Sequence, residues 1–490
     1  MKIIVLIIFS LFFYNLYYSQ NESSNPVALS IQTLISDQSL KNAAISIKVI
    51  DLENASPVAV HQPEMSLAPA STMKLFSTAL AFEHLGSYYR PETQFYIDGK
   101  IDSNGVLHGN IWIKGGGDPS LGSRFFNKRG EEREFLYQIV DSILSKGITK
   151  INGSIIADGS RFGYKGAPEG WSWGDMGNYY GAGPSGCTLF DNMTYLSFHT
   201  SKKLNDTTNI KCMNPYIPGI SFYNTVTTSR SQSDNAYVYG APYSLDRFIV
   251  GSLPFGKESF EVKASIPDPE MLLAQEVQFE LAQKIDISNP PNSYRMLSYR
   301  NPKSNNYEDK NLLFSIQGET IKNIAYWTNM RSVNLFAEQL LCLVGLEKTG
   351  SGTTESSIYF ADKHWESKIS SGLRISDGCG LSRKNLANAG NFCDLLKYVR
   401  QSSIYEDFLE TLPTAGKTGT LSRVCRGQAA DGRIMAKSGT MNRIKSYSGY
   451  VKTTSGKELA FAIIVNGHDI SSSALVKKME PFFNAMARYQ

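Results

Sequence analysis

Pro69-Ala70-Ser71-Thr72-Met73-Lys74-Leu75-Phe76-Ser77-Thr78-Ala79-Leu80 places a serine at the mouth of an apolar helix, with a lysine three residues on. Ala, Leu and Phe dominate up to Leu85, and Gly86 can close the helix. At this spacing Ser71 and Lys74 share one helix face. A serine hydroxyl is a poor nucleophile until a base takes its proton. A buried lysine can be that base, because desolvation lowers its pKa. The helix mouth also offers unpaired N–H groups and the positive dipole end, which suit a developing oxyanion. The bland alternative is an N-cap serine beside a solvated lysine. Ser-x-x-Lys occurs once in the 490 residues, so the rest of the chain must decide.

Length predicts about three domains, and 42% apolar with 19% charged residues is ordinary for a globular protein. A net charge of +4 argues against a nucleic-acid partner. Lys2 followed by Ile3-Ile4-Val5-Leu6-Ile7-Ile8-Phe9 reads as a secretory signal over residues 1–20, hence export and a periplasmic location. Retention of that segment as an anchor, with peripheral membrane association, is the alternative. The six cysteines form no Cys-x-x-Cys pair and the six histidines no metal-ligand spacing, so no metal or cofactor is expected. Export permits disulfides, and Cys187 with Cys212 is the first pair to test.

Along the chain, residues 26–36 read as a helix, and residues 44–50 and 57–60 as hairpin strands before the Ser71 helix. Residues 93–102 and 106–114 alternate around Asn104-Gly105, a hairpin turn signal. A helix over 132–146, a short strand over 154–158 and an aromatic loop from Trp171 to Tyr180 follow. Residues 192–266 are strand-rich, and 269–284 look helical. The polar stretch 301–310 reads as a linker. Helices dominate beyond it, over 319–327, 334–344, 356–368 and 386–401. A meander over 433–440, 446–453 and 458–465 precedes a closing helix over 473–488. Both chain ends could therefore build one sheet, with everything between them inserted.

Ser-x-x-Lys enzymes need a Ser-x-Asn and a Lys-Thr/Ser-Gly strand, the set found in class A β-lactamases and penicillin-binding proteins. The second serine relays a proton to the leaving amine while its amide holds the substrate backbone. The strand lysine meets the substrate carboxylate. Ser233-Asp234-Asn235 matches by letter but precedes a strand-like stretch, whereas Ser332-Val333-Asn334 opens an amphipathic helix; Ser332 and Asn334 are preferred. Lys348-Thr349-Gly350 reads as a helix C-terminus, and Lys417-Thr418-Gly419 as a loop. Only Lys437-Ser438-Gly439-Thr440 begins a meander, so Lys437 is chosen.

With these motifs stand Gly116-Gly117-Asp118-Pro119-Ser120-Leu121, Trp171-Ser172-Trp173-Gly174-Asp175-Met176, Asn334-Leu335-Phe336-Ala337-Glu338, Asp377-Gly378-Cys379-Gly380-Leu381-Ser382-Arg383 and Ala415-Gly416-Lys417-Thr418-Gly419-Thr420-Leu421. On them the chain resembles the D-alanyl-D-alanine carboxypeptidase/endopeptidase family of low-molecular-mass penicillin-binding proteins, the DacB type, over nearly its whole mature length. The resemblance implies an α/β (α+β) fold: a transpeptidase-like domain with an antiparallel sheet flanked by helices plus an all-α subdomain. That domain would comprise residues 21–90 and 305–490. A second domain over 91–190 and 267–304, and a nested β-rich domain over 191–266, would be inserted in it. Val333, Ser438 and Cys379 depart from the family's commoner Asp, Thr and Ser. Cys379 is either a reactive thiol or a small buried filler.

The resemblance further implies a serine peptidase of peptidoglycan stem peptides, inhibited covalently by β-lactam antibiotics and needing no cofactor. Ser71 would be the nucleophile and Lys74 its base. Ser332 and Asn334 would serve the leaving group, and Lys437, Ser438, Gly439 and Thr440 the carboxylate and oxyanion. Asp175, Tyr180 and Arg383 would meet the side chain of the stem peptide's third residue; the bland alternative is an Asp that caps a loop turn. The rivals are a β-lactamase-like hydrolase and a catalytically silent cell-wall binding protein.

Overall fold

The two chain ends do share a sheet. In the computed structural model, which describes residues 25–300 and 305–490, five antiparallel strands run in the order Ile434–Met441, Ile444–Lys452, Glu458–Asn466, Ala44–Asp51, Pro57–His61. Ala44–Asp51 pairs along its whole length with Glu458–Asn466. The central strands are buried on both faces, and Glu458–Asn466 is apolar throughout between its two ends, as a sheet covered on two sides requires. Helices Pro26–Ile35 and Ser472–Ala487 cover one face. The other face meets the helix Lys74–Leu85 and the helical subdomain of Asn334–Thr349, Thr354–Glu366 and Ala389–Arg400.

The helix carrying Lys74 presents no polar face to solvent, and even Lys74, Ser77 and Thr78 are buried in it. Every residue from Lys74 to Phe82 is buried, with Phe76 and Phe82 in one cluster with Phe336, Trp365 and Phe392. A helix without a polar face must be interior, and each such side chain removed from water contributes about 1.5–3 kcal/mol.

Two further pairs of sheets lie between the motifs. One pair orders Asn292–Ser293, Ile155–Asp158, Ile111–Lys114, Glu92–Ile97 and Asn311–Gln317, beside Asp286–Ile287, Lys150–Ile151, Val106–His108 and Lys100–Ile101. The other pair is the nested strand-rich stretch. It comprises Thr208–Asn214, Met193–Thr200 and Phe260–Ser265, facing Ser221–Asn224, Asp246–Pro254, Thr227–Ser229 and Asn235–Tyr239.

Four sequence expectations need correction. The long hairpin around Asn104-Gly105 is broken into two ladders in different sheets. Asp98 stands at the break, where its carboxylate accepts from Asn110 N (2.7 Å), Asn110 Nδ2 (2.8 Å) and Trp112 Nε1 (2.7 Å) beside one backbone bond from Asp98 N to the Asn110 carbonyl (3.3 Å). Asn311–Gln317 is a strand paired with Glu92–Ile97, where no strand was expected between residue 310 and the closing meander. The linker reading of 301–310 covers four undescribed residues, and its described part is docked, with Asn305 and Tyr307 both bonding Asp158. Finally, Cys187 and Cys212 are not paired. Cys187 is buried in the core of the first insertion and Cys212 is exposed on a strand of the second, both as free thiols. The signal reading lies outside the described residues. Among the described residues, no helix is long and apolar enough to cross a membrane.

Candidate active site

Ser71 sits in a 3-10 turn, Ala70–Met73, that runs straight into Lys74–Leu85. Ala70 is held at φ 50°, a left-handed conformation costing about 1–3 kcal/mol for a residue with a Cβ. Its surroundings enforce it. The Pro69 carbonyl accepts from Thr72 Oγ1 at 2.7 Å and from Ser446 Oγ at 2.6 Å. Gly380 approaches so closely that a Cβ there would stand 1.9 Å from the Ala70 carbonyl oxygen. The turn leaves Ser71 partly exposed above a buried floor.

Lys74 lies under it, fully buried. Its Nζ donates to Ser71 Oγ (2.9 Å), Asn334 Oδ1 (2.7 Å) and the Cys379 carbonyl (2.7 Å). Burial lowers its pKa, against the pull of Cys379, Asp377 and Glu338, which favour the charged form. These two acids build the loop that carries the Cys379 carbonyl. Glu338 accepts from the N–H groups of Gly378 (3.1 Å) and Cys379 (2.7 Å). Asp377 accepts from Gly380 N (2.7 Å), Asn385 Nδ2 (2.7 Å), Ser382 N (2.5 Å) and Trp171 Nε1 (2.8 Å). Burial, reinforced by the Asp377 charge, pushes Glu338 up to about 8. Cys379 is fully buried and its thiol is pushed well above its usual range, chiefly by burial, so the filler reading holds over the reactive one.

Ser332 and Asn334 flank the start of helix Asn334–Thr349, with Ser332 at φ 59°. Asn334 Nδ2 donates to the Tyr180 carbonyl at 2.8 Å, tying this helix to the aromatic loop. Lys437 Nζ donates to Ser332 Oγ at 2.9 Å and to the Ser438 carbonyl at 2.7 Å. Lys437 is fully buried; burial, then the nearby Lys74 and Lys445, hold its pKa well below the ordinary value.

Lys437, Ser438, Gly439 and Thr440 lie on an edge strand of the five-stranded sheet. Gly439 faces Ser71: a Cβ there would stand 3.0 Å from Ser71 N and 2.7 Å from the Pro69 carbonyl oxygen. Ser438 Oγ donates to Thr420 Oγ1 at 2.8 Å, and Lys445 Nζ donates to Thr440 Oγ1 at 2.7 Å. Burial brings Lys445 down to about 8. The rejected motifs fall where expected. Lys417 is exposed in a loop and pairs with Asp431 at 3.0 Å. Gly350 at φ 75° ends a helix, and Asn235 opens a surface strand.

The three recognition residues are only partly brought together. Asp175 lies against the Tyr180 hydroxyl, whose pKa is raised by burial and then by that carboxylate. Arg383 is exposed and has no hydrogen-bond or ion-pair partner among the described residues. Its segment nevertheless packs on the aromatic loop, through Ser382 Oγ donating to the Glu169 carbonyl (3.0 Å) and through Trp171. Thr420, Lys445, Glu338 and Asp377 were not singled out from sequence. Thr420 stood in a motif read as a loop, Lys445 lay between two strand readings, and the acids act chiefly by holding the loop that carries the Cys379 carbonyl.

Two clusters offer a metal's ligand atoms. In Glu338, Asp377 and Cys379 the carboxylate oxygens are engaged by the N–H donors above. Glu83, His84 and His364 lie at ordinary hydrogen-bond spacing, 3.0 Å between the histidines and 3.2 Å from His364 to Glu83.

A serine–lysine pair, a serine bonded to a second buried lysine and an edge strand facing Ser71 are thus brought together, the arrangement that serine acyl transfer requires. The D-Ala-D-Ala carboxypeptidase 3 (S13) family matches residues 27–489. The chain belongs to this family. It is 26% identical over 457 residues to a D-alanyl-D-alanine carboxypeptidase of Actinomadura sp. (strain R39), covering 89% of this chain and 80% of that protein. It is 23% identical over 441 residues to the D-alanyl-D-alanine carboxypeptidase DacB of Haemophilus influenzae, covering 86% of each. The crystal structure of penicillin binding protein 4 (dacB) from Haemophilus influenzae has a similar fold, with a TM-score of 0.78 at 21% identity over 94% of this chain and 99% of that one. The fold class expected from the motifs is therefore the observed one.

Proposed function

We propose that this S13 protein is a serine D-Ala-D-Ala carboxypeptidase and/or D,D-endopeptidase of peptidoglycan stem peptides, acting through an acyl-enzyme on Ser71. The observation that carries the reading is the bonded pair of pairs, Lys74 Nζ to Ser71 Oγ and Lys437 Nζ to Ser332 Oγ, each at 2.9 Å. Lys74 takes the Ser71 proton as Oγ bonds to the carbonyl carbon before the terminal D-alanine. The N–H groups of Ser71 and Thr440 receive the oxyanion. The C–N bond breaks as Ser332 passes a proton to the departing amine. Ser332 regains a proton from the Lys74 ammonium, which leaves Lys74 neutral; water then attacks the ester as Lys74 takes its proton, and the bond from the acyl carbon to Ser71 Oγ breaks as Lys74 passes that proton to Oγ. Lys437, with Ser438 beside it, draws the substrate carboxylate to the strand edge. A penicillin would acylate the same oxygen; a β-lactam complex is known for the similar-fold protein of Haemophilus influenzae. Export to the periplasm suits this substrate.

The test is labelling with fluorescent penicillin. Ser71→Ala should lose the covalent label while keeping the native melting curve, and a normally labelled variant overturns the assignment. Asp175, Tyr180 and Arg383 are proposed to receive the third stem residue, where a carboxylate beside aromatic rings would pair with an ammonium group. Asp175→Asn should weaken kcat/KM for amine-bearing peptides and leave acylation by a simple penicillin unchanged. Parallel loss of both reactions would make Asp175 structural.

A further inference from the structure

The nested strand-rich part carries a feature that the acyl-transfer chemistry does not use. Strands Ser221–Asn224, Asp246–Pro254 and Asn235–Tyr239 lie side by side, with Tyr223 opposite Phe248, Phe248 opposite Tyr239, and Val250 opposite Tyr237. Alternate residues share a face, and the inner face takes Val238 and Ile249 into the core, fully buried. Tyr223, Tyr237 and Phe248 therefore point outward, at 53%, 50% and 46% exposure. Tyr223 and Phe248 lie with ring centroids 4.9 Å apart. A large exposed aromatic group of this kind marks a binding surface more often than chance placement.

Its position and charge say what it binds. Trp173, half-exposed on the aromatic loop, lies 6.2 Å from Tyr239, so the rings run on from the loop that also carries Asp175 and Tyr180. The loop is fixed to this sheet by Asn178, whose Oδ1 accepts from Val238 N and whose Nδ2 donates to the Val238 carbonyl. The face is thus continuous with the candidate cleft, through Tyr180 and Asn334. The other outward positions on the three strands are Ser221, Asn235, Ser252 and Asp246, one charge among small hydrogen-bonding groups. An anionic lipid surface would call for lysine and arginine here. A row of rings among uncharged donors and acceptors suits the apolar ring faces and hydroxyls of a neutral sugar chain. Strands stand about 4.8 Å apart, so three of them present a row about 10 Å wide, enough for more than one sugar ring.

We propose that this face binds the glycan strand to which the stem peptide is attached, so that the peptide is delivered to the Ser71 cleft from a held chain. The proposal rests on the peptidoglycan reading above. The test is co-sedimentation of the full protein with peptide-free peptidoglycan glycan, and titration with a soluble N-acetylglucosamine hexamer. The variant combines Tyr223→Ser, Tyr237→Ser and Phe248→Ser, all surface positions. We expect at least about a tenfold loss of glycan binding, as for removal of clustered aromatic contacts, and unchanged penicillin labelling and short-peptide hydrolysis. Hydrolysis of intact peptidoglycan should fall with the binding. Tyr223→Trp should retain binding, which separates ring loss from unfolding. Wild-type protein that binds no glycan, or a triple variant that binds it normally, overturns the proposal. So does a face that instead joins two copies, seen as wild-type dimers and variant monomers in sedimentation. Penicillin labelling at Ser71 reports separately on the acyl-transfer reading, whatever the glycan result.

Discussion

Three lysines, Lys74, Lys437 and Lys445, are buried around one strand edge, and burial lowers all three. Lys74 and Lys437 also stand close enough for the charge of one to oppose that of the other. A carboxylate arriving at the edge relieves this repulsion, whereas a neutral end group does not. Lys437→Ala should therefore cut kcat/KM for carboxylate-terminated peptides by at least about 100-fold, the loss expected when a charge-assisted bond worth 1.5–3 kcal/mol goes together with the Ser332 contact. Lys417→Ala removes only an exposed ion pair with Asp431, worth at most about 1 kcal/mol. Equal losses in two folded variants would show that the wrong lysine was chosen. At this scale the sequence was informative wherever a side chain does the chemistry, as for Ser71, Lys74 and Lys437. It was silent where a main-chain carbonyl does the holding, as at Cys379 and Tyr180, because every residue type has that group.

Elements were legible where one local rule governs. Ser-Gly at 455–456 turns the last hairpin, and Gly86 at φ 80° ends the Ser71 helix. They were lost where a side chain takes a backbone donor from the ladder, as the Asp98 carboxylate does with Asn110 N. The strand Asn311–Gln317 was lost because its partner lies some 220 residues earlier in the chain (311 − 97 = 214 to 317 − 92 = 225). The segment 377–385 is a third case: a loop with no regular element, held by two buried carboxylates, Glu338 at Gly378 and Cys379 and Asp377 at Gly380, Ser382 and Asn385. Asp377→Asn keeps the shape but turns one acceptor oxygen into a donor, facing N–H groups it cannot pair with. Each buried donor left unpaired costs about 1–3 kcal/mol, so a destabilisation of about 2–5 kcal/mol is expected in denaturant unfolding. The acylation rate should fall as well, since the Cys379 carbonyl would no longer fix Lys74. A variant with wild-type stability would mean that the loop is held by packing alone.

Across the whole molecule, helix Asn334–Thr349 is the joint between the sheet domain and everything inserted in it. It begins at the Ser332 and Asn334 motif, packs Phe336 and Leu340 into the core around the Ser71 helix, and turns Gln339 toward the insertion. The Gln339 amide is fully buried and completely used. The two N–H groups on its Nε2 are shared among three acceptors at 3.0 Å, the Gly117 carbonyl, the Ser185 carbonyl and Thr188 Oγ1, and its Oε1 accepts from Ser185 N (3.1 Å). One side chain thus joins the helix to the Gly115-Gly116-Gly117 loop and to the segment after the aromatic loop. Gln339→Leu fills a similar volume but leaves these partners unpaired in a dry interface. At about 1–3 kcal/mol for each buried polar group without a partner, the loss should be about 3–6 kcal/mol. If the insertion folds as one unit with the sheet domain, a single unfolding transition should move to lower denaturant and penicillin acylation should fall with it, because Asn334 and Tyr180 would lose their register. If the insertion unfolds by itself, calorimetry of the variant should instead split into two transitions, with labelling lost in the first. A variant that melts and acylates like wild type would show that Gln339 does not hold the two parts together.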